Sequence, residues 1–563
     1  MDESHSFLTE SLMQGRDWKG FELAVLRLLE HCGWRHLQYI GESGDQGADI
    51  IAVRHEGGGS VPYLFQVKAV SGVNYVPPSA IDECLHAQGV YGGRVLVVVT
   101  NGEFTKSAYS RRDELRRLGY DVRLWNGIFI RSLLGKFPER SQAYRNSRDY
   151  QTDIVDRVMA KYHAGHHRAM FVVATGLGKT FIAATIAQRL YDEGVKRILV
   201  LCHAVDLAIQ LQQAFWRQID KSVPTRLFMD GKPPSCTDGI SFGLYQTLEG
   251  YLSGLDPNAF DLVIVDEAHH ALSYSFLNCL THLRPRFLVG MTATPWRGDG
   301  ASIETLFGKP VKTLSLVDGM HMGHLAKVDY RLMCDNLNWD ELPHLSKHRL
   351  TIRDLNKRLF LPQRDEAVVS ELLTLVSKTP NPKIAVFSPS VEHAERFAEF
   401  LTNAGISAAC VSCEDKLLRR RRLLEFSSGG LVAISAVDLL NEGIDVPEIN
   451  ILVFLRATHS RRIFIQQLGR GLRISDNKKS VVVLDFVTDV RRMALVKELD
   501  DEARAGSKAG IKEVVVLKNG VVTFSDVKAK AFVDEWLNDV MTIDADDDNA
   551  ELTFPDVGLK GFS

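Results

Sequence analysis

The apolar positions of residues 21–32 recur at helical spacing, and short apolar runs at 49–53 and 63–67 flank a polar turn at 55–60. This pattern predicts a helix followed by two strands. Residues 94–100 read as a further buried strand, 106–118 as a helix, and the polar segment 137–149 as a linker. From Tyr150 onward the pattern becomes buried strand, loop and helix in repetition, which predicts parallel α/β sheets. Core strands at 170–174, 198–202, 262–265 and 287–290 predict one such unit, and those at 384–388, 431–435, 451–455 and 481–486 a second. The expected organisation is a small α/β domain at 1–136, the linker at 137–149, and two parallel-sheet domains at 150–315 and 316–494. An extension at 495–563 follows, with an acidic stretch containing Asp544, Asp546, Asp547 and Asp548.

Composition adds constraints rather than a function. A chain of 563 residues is too long for one hydrophobic core. The formal net charge of −3 means that any polyanion must be held by local basic surfaces, not by a bulk positive field. Eight cysteines are scattered apart from Cys410 and Cys413, with no second pair at ligand spacing, so a buried strand at 406–411 is favoured over a zinc site. The start of the chain is acidic, and no run of about 18 apolar residues occurs. The expectation is a cytoplasmic protein without a membrane segment.

Chemistry enters where strand 170–174 runs into Thr175-Gly176-Leu177-Gly178-Lys179-Thr180 and then a helix at 181–190. Glycines let a backbone wrap phosphates, whose charge then meets amide donors and a helix N-terminus. Lys179 is expected to hold the β and γ phosphates of ATP, and Thr180 to ligate Mg2+. Val173 stands where the strict phosphate-loop pattern has glycine, so a glycine-rich turn without a ligand is the alternative for this stretch alone. Strand 262–265, however, delivers Asp266-Glu267-Ala268-His269. Carboxylates at the end of a buried parallel strand face the crevice where open α/β sheets bind ligands. Asp266 suits the Mg2+ contact, and Glu267 the orientation of an attacking water.

With these blocks on the page, the region from about Arg148 to Arg473 resembles a superfamily 2 helicase of the restriction-subunit type, with two RecA-like domains. The resemblance rests on Tyr150-Gln151, residues 199–210, Tyr245-Gln246-Thr247, Thr292-Ala293-Thr294-Pro295, Asn441-Glu442-Gly443-Ile444-Asp445-Val446-Pro447 and Gln466-Gln467-Leu468-Gly469-Arg470-Gly471-Leu472-Arg473, all in family order. It implies that Gln151 reads adenine, that Gly443 and Asp445 approach the nucleotide, and that Arg470 and Arg473 reach the γ phosphate as the second domain closes on the first. The four arginines 419–422 lie on a predicted helix whose consecutive residues point in different directions, so a mostly solvated face is favoured over a phosphate site.

In the N-terminal part, Asp49 opens one strand and Gln66-Val67-Lys68 lies on the next, with Gln66 and Lys68 on one face. If the strands form a hairpin through 56–60, Asp49 meets them at one end. An acid, an amide oxygen and a lysine suit phosphodiester hydrolysis, with Asp49 on Mg2+ and Lys68 steadying nucleophile and developing charge. The alternative is that Asp49 caps a turn and Lys68 is a solvated charge. The stretch from about Gly20 to Leu134 resembles the restriction endonuclease-like fold of PD-(D/E)xK nucleases, specifically Mrr-like enzymes, many of which carry Gln-x-Lys. The resemblance implies that Glu22, on the first helix, compensates for the neutral Gln66.

The expected fold is therefore α/β, a restriction endonuclease-like domain followed by two RecA-like domains and an extension. The expected function is an ATP-dependent DNA helicase or translocase coupled to a Mg2+-dependent endonuclease, in restriction or anti-phage defence with possible partner subunits. Two other readings stay open: a remodelling or repair ATPase whose nuclease fold only binds DNA, and an RNA helicase.

Overall fold

The computed structural model describes residues 7–41, 47–56, 59–72, 74–228, 236–293, 303–333, 349–351, 354, 365–412, 416–437, 448–455, 469, 471–474, 478, 480–486, 515–518 and 551–553. Among the described residues no helix is long and apolar enough to cross a membrane.

The N-terminal part begins with α1 (Glu10–Met13) and α2 (Trp18–His31), then β1 (Arg35–Tyr39), β2 (Ile50–Glu56) and β3 (Gly59–Lys68). It continues with β4 (Tyr75–Val76), α3 (Ser79–Tyr91), β5 (Val95–Thr100), β6 (Glu103–Phe104), α4 (Lys106–Arg117), β7 (Asp121–Trp125) and α5 (Gly127–Gly135). Asp17 starts α2 by accepting the Gly20 amide at 3.0 Å, a side-chain cap for an otherwise unpaired N–H. The main sheet has the order β1-β2-β3-β5-β7. Strands β2 and β3 form the expected antiparallel hairpin, with Ile50 opposite Phe65, whereas β5 and β7 add in parallel. All of β5 is buried, as its unbroken apolar run requires of a strand covered on both faces.

The next unit contains α6 (Asp149–His163), β8 (Arg168–Val173), α7 (Lys179–Asp192), β9 (Arg197–Cys202), α8 (Val205–Trp216), β10 (Thr225–Phe228), β11 (Gly239–Leu244) and α9 (Tyr245–Glu249). After these come β12 (Leu262–Val265), α10 (Tyr274–His282), β13 (Phe287–Thr292), α11 (Glu304–Phe307), β14 (Pro310–Leu314) and α12 (Leu316–His321). Its strands pair in the order β10-β11-β9-β12-β13-β8-β14, parallel throughout.

A second all-parallel sheet has the order β18-β19-β17-β20-β21-β15-β22. Its strands are β15 (Lys327–Met333), β17 (Ile384–Phe387), β18 (Ala408–Cys410), β19 (Ala433–Ala436), β20 (Ile451–Phe454), β21 (Ser480–Phe486) and β22 (Val515–Lys518). Two further strands, β16 (Arg349–Thr351) and β23 (Glu551–Thr553), pair apart from it. The stretch after residue 495 thus supplies an edge strand, which its irregular pattern did not suggest. The acidic stretch at 544–548 lies outside the described residues.

The N-terminal unit touches both others. On one side α2 packs on α8. There Arg27 donates to the carbonyls of Val223 at 2.8 Å and Asp220 at 3.0 Å, and burial lowers its pKa to about 9. Glu30, 1% exposed, meets Arg217 at 2.6 Å. The segment at 137–149 is held in the same seam, with Gln142 N donating to the His31 carbonyl and Lys221 N to that of Glu139. On the other side, the helix Lys416–Ser428 packs on α3 and β3. This helix carries the arginine run: Arg421 pairs with Glu425 at 3.0 Å, and Arg422 donates to the Cys410 carbonyl at 2.6 Å. Cys410 is buried, and Cys413 lies outside the described residues.

Candidate functional sites

The phosphate loop joins β8 to α7. Gly176 and Gly178 have φ of +90° and +86°, a region that costs a side chain energy and glycine none. The loop is braced from α6, where Tyr150 Oη and Gln151 Nε2 both donate to the Leu177 carbonyl, at 2.7 and 3.1 Å. Gln151 Oε1 accepts the Arg148 amide at 3.0 Å. Gln151 therefore stands against the loop itself, with donor and acceptor both engaged.

Beside the loop, Lys179 Nζ lies 3.0 Å from Glu267 Oε1. Glu267 follows the buried strand β12 and adopts φ 47°, ψ 54°, a left-handed turn that a side chain rarely occupies. Asp266 precedes it, buried, its amide bonded to the Leu201 carbonyl at 2.9 Å. Glu267 Oε2 lies 3.3 Å from His269 Nδ1, which is itself 3.0 Å from Thr292 Oγ1 at the end of β13. Polar contacts thus run from the phosphate loop to the Thr292-Ala293 block. Thr292 opens the block whose resemblance implies coupling of hydrolysis to motion, whereas the sequence alone assigns no role to His269.

The segment around 469–473 reaches the same loop from the second parallel-sheet unit. A Cβ on Gly176 would sit 2.9 Å from the Gly469 carbonyl oxygen and 3.5 Å from Arg473 Cγ. A Cβ on Gly469 would sit 2.9 Å from that of Thr175. Arg473 also bridges Leu325, and Ala326 N donates to the Leu472 carbonyl at 2.8 Å. Thr180 falls in the first turn of α7. Arg470, Gly443 and Asp445 lie outside the described residues, as do Thr294 and Pro295.

In the N-terminal unit the hairpin brings Asp49, Gln66 and Lys68 to one end. Asp49, 2% exposed, accepts Gln66 Nε2 at 2.9 Å and the Val67 amide at 2.6 Å through Oδ2. Its main chain continues the ladder, its amide bonding the Phe65 carbonyl at 2.8 Å. Gln66 is buried as well, and its Oε1 has no hydrogen-bond partner. An orphaned amide oxygen beside a carboxylate is an unsatisfied acceptor that a hard cation can fill. Glu22 sits at the same corner: Tyr39 Oη donates to its Oε2 at 2.7 Å, and that oxygen lies 2.7 Å from where a Cβ on Gly41 would stand. The Gly41 amide bonds the Asp49 carbonyl at 3.1 Å. Among the described residues no three His, Cys, Asp or Glu side chains converge as a metal cluster, and the donors at this corner that suit Mg2+ are the Asp49 carboxylate and the Gln66 oxygen.

Lys68 Nζ meets Glu83 Oε2 at 2.6 Å. Glu83 belongs to α3 and was not singled out in the sequence. No signal there would have found it, because its partner is 15 residues away on another element.

Known protein families match the same three stretches. Residues 13–134 match the model described as restriction endonuclease, residues 145–297 that of the type III restriction enzyme res subunit, and residues 366–475 the helicase conserved C-terminal domain. The chain is 25% identical over 489 residues to the endonuclease subunit of the type I restriction enzyme EcoAI of Escherichia coli, covering 79% of this chain and 56% of that protein. It is 23% identical over 379 residues to the DNA 3'-5' translocase XPB2 of Sulfurisphaera tokodaii, covering 61% of this chain and 81% of that protein. The first curated relatives are matched over 51% and 56% of their own lengths, so the chain spans about half of them. Among solved structures, the ATP-dependent type ISP restriction-modification enzyme LlaBIII bound to DNA superposes with a TM-score of 0.51 at 15% identity, over 94% of this chain and 42% of that one, which speaks to fold alone. Taken with the three main sheets, these matches set a stretch similar to restriction endonucleases ahead of one similar to the type III restriction res subunit and one similar to the helicase C-terminal domain.

Proposed function

We propose that the protein is an ATP-driven DNA translocase or helicase whose N-terminal domain cuts DNA, acting in restriction or anti-phage defence. The observation that carries this reading is the Asp49–Gln66 pair with its orphaned Oε1, set beside Lys68 in a chain that also holds a phosphate loop. A motor alone has no use for a buried carboxylate and an unsatisfied amide oxygen at a strand end, because each is costly to desolvate.

In the motor, Lys179 and the amides of α7's first turn would hold the phosphates of ATP, Thr180 and Asp266 would hold Mg2+, and Glu267 would orient the attacking water. Gln151 braces the loop, and its adenine contact belongs to this proposal. Arg473, with Arg470, supplies positive charge to the γ phosphate from the second RecA-like unit, and Gly443 and Asp445 line the same cleft. ATP then draws the two units together and hydrolysis releases them.

In the nuclease, Asp49 and Gln66 would hold Mg2+, whose chemistry when bound would be to polarise the scissile phosphate and acidify water. Lys68 steadies the nucleophile, and Glu22 orders the corner through Tyr39 and Gly41. Partner subunits for target recognition are part of this proposal, since the EcoAI relative is itself one subunit of a type I restriction enzyme.

ATP turnover measured with duplex DNA, single-stranded DNA and RNA tests the nucleic-acid assignment. Stimulation by DNA, duplex above all, supports it. Stimulation by RNA alone favours an RNA helicase. DNA stimulation without cutting favours a remodelling or repair ATPase.

A further inference from the structure

We infer that Glu83 is a latch on Lys68, and that the second RecA-like unit works this latch through the helix Lys416–Ser428. The inference rests on the nuclease reading above and adds a regulating residue to it.

The first observation is electrostatic. Lys68 is the one cation in the Asp49–Gln66–Lys68 set, and its ammonium is held 2.6 Å from Glu83. A lysine so paired is a weaker stabiliser of developing negative charge, and the carboxylate also repels an approaching phosphate. Glu83 is anchored beside the hairpin through its neighbour Cys84, whose buried Sγ donates to the Leu64 carbonyl of β3 at 3.8 Å.

The second observation is mechanical. A Cβ on Gly47 would lie 2.2 Å from the Glu83 carbonyl oxygen, so α3 abuts the chain two residues before Asp49. The helix Lys416–Ser428 packs on α3 and β3, and its Leu424, 3% exposed, belongs to the N-terminal unit's own apolar cluster with Ile81, Cys84 and Leu64. Meanwhile α2, on the opposite side, is fixed to the first RecA-like unit by Arg27 and Glu30. A nuclease tied to both units cannot ignore a change in their separation. The side that holds Glu83 moves with the second unit, and the side that holds Glu22 stays with the first.

In the arrangement described, Glu83 therefore restrains Lys68, and nucleotide-driven displacement of α3 releases it. The pair is half exposed, so the restraint is modest and reversible, as a switch requires.

Plasmid cutting with Mg2+, with and without ATP, tests this in the full chain. Glu83→Gln is expected to raise ATP-independent cutting by roughly three- to fivefold, the shift that a half-exposed ion pair can impose on an equilibrium. Glu83→Asp is expected to restore dependence on ATP. Leu424→Asp, or Leu424→Ala should the charge prevent folding, is expected to hold cutting at the ATP-independent level while ATP hydrolysis continues. Combined with Glu83→Gln it is expected to cut at the raised level. Loss of cutting by Glu83→Gln in both conditions would make Glu83 part of the centre and overturn the latch, as would an unchanged response to ATP. If the parent cuts no better than Lys68→Ala, the nuclease reading itself fails, a distinct outcome.

Discussion

The ammonium of Lys179, first residue of α7, lies 3.0 Å from the carboxylate of Glu267, which follows β12. Two elements far apart in sequence thus place a cation and an acid across one crevice, both largely shielded from water. Glu267→Gln keeps the shape and removes the base. Its ATP hydrolysis is expected to fall by about 10²- to 10⁴-fold, with nucleotide binding retained. Lys179→Ala is expected to lose binding as well, and a fluorescent-nucleotide titration beside turnover distinguishes the two.

His269 links that acid to Thr292 at the end of β13. Removing a buried hydrogen bond of this kind should reduce coupling by roughly five- to tenfold. For His269→Ala we expect basal ATP hydrolysis to persist while its stimulation by DNA declines. Equal loss of both activities would assign His269 to the chemistry instead.

Asp49 has a structural duty as well as a chemical one, because its Oδ2 accepts the Val67 amide at 2.6 Å. Asp49→Ala leaves that buried N–H unpaired and should destabilise the domain by about 1–3 kcal/mol. Asp49→Asn keeps an acceptor and should melt near the parent, yet cutting should be lost in both. Cutting by Asp49→Asn at the parent rate would remove Asp49 from the metal site.

The motor was largely legible in the sequence. Gly176 and Gly178 stand where positive φ is needed, and the apolar run 262–265 ends at Asp266 as a buried parallel strand should. The β2–β3 hairpin was legible from its two apolar runs and the turn between. What stayed hidden depends on which surfaces meet. The spacing around Leu424 could show that it is buried, but not that the nuclease buries it. The Lys68–Glu83 contact joins a strand to a helix at surface positions where no pattern constrains the partner. Strand β22 escaped notice because an edge strand of four residues carries little periodicity.

Asp261 and Arg197 close the lower edge of β9 and β12 with contacts of 2.8 and 3.2 Å. The guanidinium holds the Asp261 carboxyl below the usual carboxylate range. Its folded pKa is thus below the unfolded one, so the stabilisation is complete at neutral pH and lost as pH falls through the folded value. Asp261→Asn should cost about 1 kcal/mol or less at pH 7, since water screens the pair, and the difference from the parent should close below about pH 4. Thermal melts across that range check it, and a gap unchanged in acid would show that packing, not charge, is responsible.

The most direct test of the account is plasmid cleavage with Mg2+, with and without ATP, by the parent, Lys68→Ala and Lys179→Ala. The account predicts ATP-stimulated cutting by the parent and no cutting by Lys68→Ala, whose ATP hydrolysis survives. Lys179→Ala should show no stimulation by ATP. Undiminished cutting by Lys68→Ala, or no cutting by the parent on unmodified or base-modified DNA despite DNA-stimulated ATP hydrolysis, would contradict it.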